Sequence, residues 1–407
     1  MPEARRHAAE GGRRAGLLLL GILAIPSLVA TGAVGASALV AAFVRGVVIP
    51  PSRRSQDARV LAVRPDAGEI ELAADADSAV RGGFSLWFDR GRGHARVGQL
   101  LETRNGRVVR ELERVDRGSL RAGARARING WLLLGPRETG LPFTTEEVPT
   151  QFGVAPAWLF PGPDGLGDVW AVHVHGRATT REETLRGVDV LHRSGLTSLV
   201  VSYRNDGDAP ASPDRRYGLG DTEWRDVDAA IRFAEQRGAR SVVLVGWSMG
   251  GAIALQTVLR SSRRALVAGL VLDSPVIDWR ETLRGQARLR GIPPVIAALA
   301  ITVMQRPWST ALTGQSSAIP LAGLDLVTRA AELTTPILLM HSVDDDFVPS
   351  GPSEALAAVR PDLVEPVLFH GARHTRLWND DPELWESSVE GWLARLGLSR
   401  LGPSARS

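Results

Sequence analysis

A serine between glycines, three consecutive aspartates and two histidines four residues apart are the groups in this sequence that could do chemistry together. The serine is Ser248, in the run Leu244-Val245-Gly246-Trp247-Ser248-Met249-Gly250-Gly251; the acids are Asp344, Asp345 and Asp346; the histidines are His370 and His374. A serine hydroxyl is a weak nucleophile until a base takes its proton, and an imidazole base needs a carboxylate to hold its tautomer. Gly246 to Gly250 spell G-x-S-x-G, a cheap fit in a chain with 43 glycines among 407 residues. Context gives it weight. "SVVLVG" before the serine reads as a strand and "MGGAIALQTVLR" after it as a helix. A strand-to-helix turn of that kind needs small residues because the two backbones nearly touch, and Gly246, Gly250 and Gly251 supply the room.

The acids and histidines follow in the order nucleophile, acid, base, each at a strand end. "PILLMH" leads into the aspartates; "PVLFH" leads into Gly371-Ala372-Arg373-His374. His370 finishes its strand, whereas His374 lies in a loop able to fold back over the sheet, so His374 is the preferred base. With "VWAVHV", "TSLVVSY" and "GLVLD", these are short apolar runs of the kind buried on both faces of a parallel sheet. Helical segments alternate with them, as over 222–236, where Thr222 is the expected N-cap. The expected fold is α/β: a mostly parallel sheet with helices on both faces over residues 168–400, joined by right-handed crossovers. About sixty residues separate "GLVLD" from "PILLMH", too many for one crossover, and residues of about 276–333 are read as a partial helical lid. Its apolar stretch "GIPPVIAALAITVMQRPW" is too short to span a membrane.

Upstream, residues 55–135 alternate in short β-prone runs with turn signals, the strongest at Asn105-Gly106, and read as a small all-β module. Residues 136–167, rich in Pro and Gly, read as a linker.

The C-terminal half resembles the α/β-hydrolase superfamily, nearest its prolyl-oligopeptidase-like and dienelactone-hydrolase-like branches, over residues of about 165–398. The acid loop of those branches, H-G-x-x-D-x-x-V-P, stands here as His341-Ser342-Val343-Asp344-Asp345-Asp346-Phe347-Val348-Pro349, with Ser342 in place of the glycine. The resemblance implies Asp345 as the orienting acid, His374 as the base and Ser248 as the nucleophile. It also implies an oxyanion hole made by the backbone N–H of Met249 and, in the "VHVHGRATT" loop, of Arg177. The implied activity is a serine hydrolase acting on a small carboxylic ester or thioester. A peptidase, and a binding protein that keeps the fold without turnover, are the alternatives. His175 and His341 are read as strand-end packing, Trp224 and Trp247 as core or pocket wall, and Ser202–Asp206 as a loop at the mouth of the site or on the surface.

Composition narrows the partners. There is no cysteine, which excludes thiol catalysis and disulfides, and the basic residues are all arginines. The formal charge is only +3, and no arginine stripe with interleaved aromatics occurs, so nucleic acid is not an expected partner. The histidines are dispersed and no H-x-x-x-H pair falls on a helix-prone stretch, so neither a metal nor a cofactor is expected. At the N-terminus, Arg5, Arg6, Arg13 and Arg14 precede an uncharged run from Ala15 to Val44, closed by Arg45. Residues 1–54 are therefore read as a basic N-terminus and a transmembrane anchor within 15–44, with the catalytic domain on the extracytoplasmic side. Signal cleavage after Ala36-Ser37-Ala38, giving a secreted enzyme, is the alternative. Since every candidate catalytic residue lies beyond residue 170, the segment before Ser55 is expected to be dispensable for hydrolysis.

Overall fold

The structure, a computed structural model, describes residues 35–51 and 54–399. Six strands, β1 (Ala58–Arg64), β2 (Glu69–Ala73), β3 (Phe84–Phe88), β4 (Gly93–Arg104), β5 (Arg107–Arg117) and β6 (Arg125–Asn129), close into a barrel in the order β1-β2-β5-β4-β3-β6. Alternation puts Val60, Ile70, Leu72, Phe84, Leu86 and Val97 inside, and closure leaves no strand edge unpaired. The Arg110 guanidinium is buried in one end, donating to the carbonyls of Ser78, Val80 and Gly98; burial pulls its pKa down to about 10.

The second unit is an eight-stranded sheet of β7 (Thr144–Thr150), β8 (Gly153–Phe160), β9 (Val169–Val174), β10 (Thr197–Val201), β11 (Ser241–Trp247), β12 (Val267–Asp273), β13 (Ile337–Ser342) and β14 (Val364–Phe369), ordered β14-β13-β12-β11-β9-β10-β8-β7. From β10 to β14 the neighbours run parallel, while the β7–β8 hairpin adds on antiparallel beside β10. The stretch read as a linker thus supplies two strands of the sheet. Its sequence hides them because β7 is a polar edge strand that carries Pro149, a residue tolerated only where no ladder bond is needed.

Along β11 the side chains alternate between two cores: Val242 and Leu244 face one, Val243 and Val245 the other. The helices are α1 (residues 35–48), α2 (Val188–Arg193), α3 (Trp224–Gln236), α4 (Met249–Arg260), α5 (Trp279–Leu289), α6 (Pro294–Met304), α7 (Thr310–Thr313), α8 (Gly351–Val359), α9 (Leu377–Asp380) and α10 (Pro382–Arg395). α1, α3, α4, α5 and α6 cover the first face; α2 and α10 cover the second. Thr222 does not cap α3: Glu223 stands at the N-cap position, its carboxylate taking the amides of Gly218 and Gly220.

Of the expected membrane span, residues 15–34 lie outside the described residues. Residues 35–44 belong to α1, and α1 lies on the protein. Val40, Phe43, Val44, Val47 and Val48 are buried at i, i+3, i+4, i+7 and i+8 spacing, and each such side chain contributes roughly 1.5–3 kcal/mol. The run reads as uniformly apolar because its outward face, built from Ser37, Ala38, Leu39 and Ala42, carries no charge before Arg45. Among the described residues no helix is long and apolar enough to cross a membrane.

Candidate active site

β11 ends at a turn where Ser248 adopts φ 53° and ψ −116°. That backbone costs a non-glycine residue on the order of 1–3 kcal/mol, so the surroundings must enforce it. They do so by contact: a Cβ on Gly250 would stand 2.1 Å from the Val174 carbonyl oxygen, and one on Gly246 2.7 Å from that of Gly250. α4 starts at Met249, which places its positive end beside the hydroxyl.

His374, in the loop between β14 and α9, places Nε2 2.8 Å from Ser248 Oγ and Nδ1 2.7 Å from Asp345 Oδ2. Asp345, in the loop after β13, is fixed on every side. Its Oδ1 accepts the amides of Phe347 and Val348, both at 2.9 Å, and its Oδ2 also lies 3.2 Å from His341 Nε2. Burial pushes the Asp345 carboxyl up, but His374 and His341 outweigh it and hold the group well below the ordinary carboxylate range. For His374 burial opposes protonation; Asp345, with the buried Glu183 and Asp273 nearby, outweighs that and raises its pKa above 6.5. The line Ser248–His374–Asp345 can therefore move a proton off the hydroxyl and hold the resulting imidazolium.

The other candidates separate cleanly. Asp344 accepts the Gly371 amide at 2.7 Å, Asp346 pairs with Arg373, and His370 is exposed. His175 is buried with its ring stacked on Tyr203, and burial lowers its pKa to about 4. Trp247 lies in the core between His173 and Trp385, and Trp224 is partly buried against the other core. The Ser202–Asp206 loop does not form the mouth: Arg204 is paired with Asp226, and Asp206 accepts from the Tyr217 hydroxyl. His341, read as packing, holds the acid; its place four residues before Asp345 was the available signal.

Gly176 touches the turn, since a Cβ there would stand 3.3 Å from Ser248 Cβ. Its own amide donates to Glu183 Oε2 at 2.8 Å. The next amide, of Arg177, and that of Met249 have no backbone acceptor among the described residues. The Arg177 side chain turns to α1 instead, with Nε 2.9 Å from the Val47 carbonyl and Nη2 2.7 Å from that of Gly46, above the Tyr217 ring. Those carbonyls belong to the last turn of α1, which has no helical partners for them. Arg45 in turn donates to the Leu312 carbonyl at 2.9 Å. α1 is thus fastened to the loop beside the serine and to the lid.

Val47 also lines the narrow cleft over Ser248, whose water-accessible volume is about 20 Å³, together with Val276, Trp279, Leu283 and Phe347. The segment before Ser55, expected to be dispensable, forms a wall of this cleft. The helical spacing of Val40, Phe43, Val44, Val47 and Val48 was the signal for it. A larger cleft on the barrel, between Arg64, Glu71 and Arg107, contains neither serine nor histidine. Among the described residues no cluster of histidine and carboxylate ligands could hold a metal ion.

The barrel reaches the same loop. Asp77 pairs with Arg373 at 2.9 Å and with Arg376 at 3.0 Å, Arg376 donates to the Ile128 carbonyl, and Asn379 donates to those of Gly83 and Gly130.

Residues 171–386 match the alpha/beta hydrolase family, and residues 59–129 match a domain of unknown function. An uncharacterized protein of Mycobacterium tuberculosis is 26% identical over 256 residues, 60% of this chain and 74% of that protein. Among solved structures, an esterase of Pyrococcus furiosus superposes with a TM-score of 0.50 at 19% identity, over 65% of this chain and 96% of the esterase, a likeness of fold.

Proposed function

Given that this chain belongs to the alpha/beta hydrolase family, we propose that it is a serine esterase that works through an acyl-enzyme. The observation that carries the reading is the pair of hydrogen bonds, 2.8 Å and 2.7 Å, that joins Ser248 Oγ through His374 to Asp345 on a strained turn. Ser248 Oγ attacks the ester carbonyl as His374 Nε2 takes its proton. The amides of Met249 and Arg177 donate hydrogen bonds to the carbonyl oxygen as charge develops on it. The C–O bond then breaks, and the leaving alkoxide takes the proton from His374. Water, deprotonated by the same imidazole, attacks the acyl-serine; the bond from the acyl carbon to Ser248 Oγ then breaks, Oγ takes the proton back from His374, and the acid leaves. Asp345, anchored by two amides and His341, keeps Nδ1 protonated throughout.

We also place the enzyme at a membrane through its N-terminal run, with the catalytic domain extracytoplasmic; the uncharged sequence from Ala15 and the arginines before it support this. N-terminal sequencing of the mature protein tests it, since a chain beginning at Leu39 would mean a secreted enzyme. The chemical reading is tested by a fluorophosphonate probe beside p-nitrophenyl esters and aminoacyl anilides. Wild type is expected to label at Ser248 and to prefer esters, and Ser248→Ala to do neither. Equal labelling of Ser248→Ala would sink the assignment, and faster anilide turnover would make the enzyme a peptidase.

A further inference from the structure

The outer surface of the lid is unlike the rest of this protein. Val295 and Leu299 stand one turn apart on the outward face of α6, 72% and 47% exposed, and Leu289, Trp308 and Leu312 of the flanking turns are also exposed. From Thr282 to Leu324 the chain carries Arg284, Arg288, Arg290 and Arg306 and no acidic residue, although the whole chain has 45 Asp and Glu. All four arginines are exposed. Arg284 pairs with Glu281; among the described residues Arg288, Arg290 and Arg306 pair with no carboxylate. Large exposed side chains rimmed by one sign of charge mark a docking face, and the charge states what it fits.

A second observation says where that face is held. Arg45 of α1 is bonded to the Leu312 carbonyl on the lid, and Leu39, one turn and a half earlier, is 52% exposed. The chain enters α1 from a run without a single charge between Arg14 and Arg45. α1 and the exposed lid are therefore joined at Arg45, two residues before Val47 of the cleft that contains Ser248.

We propose that the lid face of α6, with Trp308 and its arginines, lies on an anionic lipid surface, and that the esterase draws its substrate, an amphiphilic ester with an apolar acyl chain, from that surface into the cleft between Val47 and Leu283. This rests on the esterase reading for its chemistry but not for its geometry. An amphipathic basic surface binds the headgroup boundary by burying apolar side chains while its arginines meet lipid phosphates.

Because the chain has no cysteine, a single introduced thiol takes an environment-sensitive fluorophore at one site. Full-length protein labelled at Leu299→Cys is mixed with vesicles of phosphatidylcholine, or of phosphatidylcholine and phosphatidylglycerol at about 3:1. The label shifts to the blue on the anionic vesicles, whereas one at Leu101→Cys on the barrel does not. The N-terminal run alone would carry both labels to the vesicle alike, so the difference between them is the readout. Replacing Arg288, Arg290 and Arg306 by Gln weakens the titration about fivefold per arginine. Val295→Glu with Leu299→Glu lowers hydrolysis of a long-chain ester in the same vesicles at least tenfold and leaves p-nitrophenyl acetate unchanged. A label at 299 that stays in water, or equal shifts at 299 and 101, overturns the proposal. So does a shift that grows with protein concentration without vesicles, which would assign the face to a second copy. Loss of turnover with the shift intact would instead fall on the esterase reading.

Discussion

Replacing Asp345 by Asn tests the proton path, because the structure dictates which way the amide must point. Asp345 Oδ1 accepts two backbone amides, from Phe347 and Val348, and Oδ2 faces His374 Nδ1. An asparagine keeps its carbonyl on the two amides, which leaves its NH2 against Nδ1. That nitrogen must then accept, so the proton moves to Nε2, the atom that should take the Ser248 proton. Flipping the amide would aim NH2 at two N–H donors and leave a buried donor clash, so there is no escape through rotation. The same exchange in the serine-protease triad lowers kcat about 10⁴-fold, and a loss of about 10³–10⁴-fold, roughly 4–5.5 kcal/mol of transition-state stabilisation, is expected here. The assay is kcat for p-nitrophenyl acetate, with thermal melts to show that the fold survives. Asp344→Asn and Asp346→Asn, which touch Gly371 and Arg373 instead, should lose less than tenfold. The pH profile checks the sign. Wild-type kcat/KM should fall as pH drops through a midpoint above 6.5, where His374 takes a proton, and any residual activity of Asp345→Asn should show a lower midpoint because the carboxylate that favours imidazolium is gone. Turnover of Asp345→Asn within tenfold of wild type, or a greater loss at either neighbour, would refute the reasoning.

Gly250→Ala puts a Cβ 2.1 Å from the Val174 carbonyl oxygen, a backbone atom that cannot yield, so it should destabilise by about 3 kcal/mol or more and abolish probe labelling; a wild-type melting temperature would contradict this. Val47→Trp narrows the cleft and should reduce kcat/KM for p-nitrophenyl octanoate by about 10–100-fold while acetate changes less than threefold, read from a chain-length series. Asp206 is pushed by burial up to about 7. Because the folded state then holds a proton that the unfolded state releases above its ordinary carboxylate range, its contribution is present at low pH and lost as pH rises from about 4 to 7. Asp206→Asn should flatten the fall of melting temperature over that window, and an unchanged slope would assign the titration elsewhere.

The sequence marked the residues that meet at Ser248 more fully than it marked the architecture. Ser248, Asp345 and His374 were legible because a glycine-lined turn, an acid loop and a histidine loop each leave a short local pattern, and their order follows the strands that the apolar runs announce. The barrel strands were legible through turn residues such as Asn105-Gly106. β7 and β8 were not, since an edge hairpin with Pro149 and Pro156 reads like a loop. The use of α1 was hidden for a different reason: helical spacing inside an apolar run cannot be separated from a membrane span until something is seen to cover its inner face. His341 and Glu183 were missed because their work is to hold atoms of other residues, and such contacts form only in three dimensions.

The seam between barrel and sheet sets the smallest piece of this protein that could be transplanted. A Cβ on Gly82 would fall 1.8 Å from the Asn379 carbonyl oxygen, and Arg186 donates to both the Gly130 and Thr375 carbonyls, so the barrel is stitched within one residue of the histidine. A hydrolase half cut away at Asp168 would lose not only β7 and β8 but the outside anchors of the loop that presents His374. The same coupling ties the fates of the two units in the cell. A lesion in the barrel should first silence the enzyme and only later unfold it, and a protease that nicks the Asp77 loop would inactivate a site it never reaches.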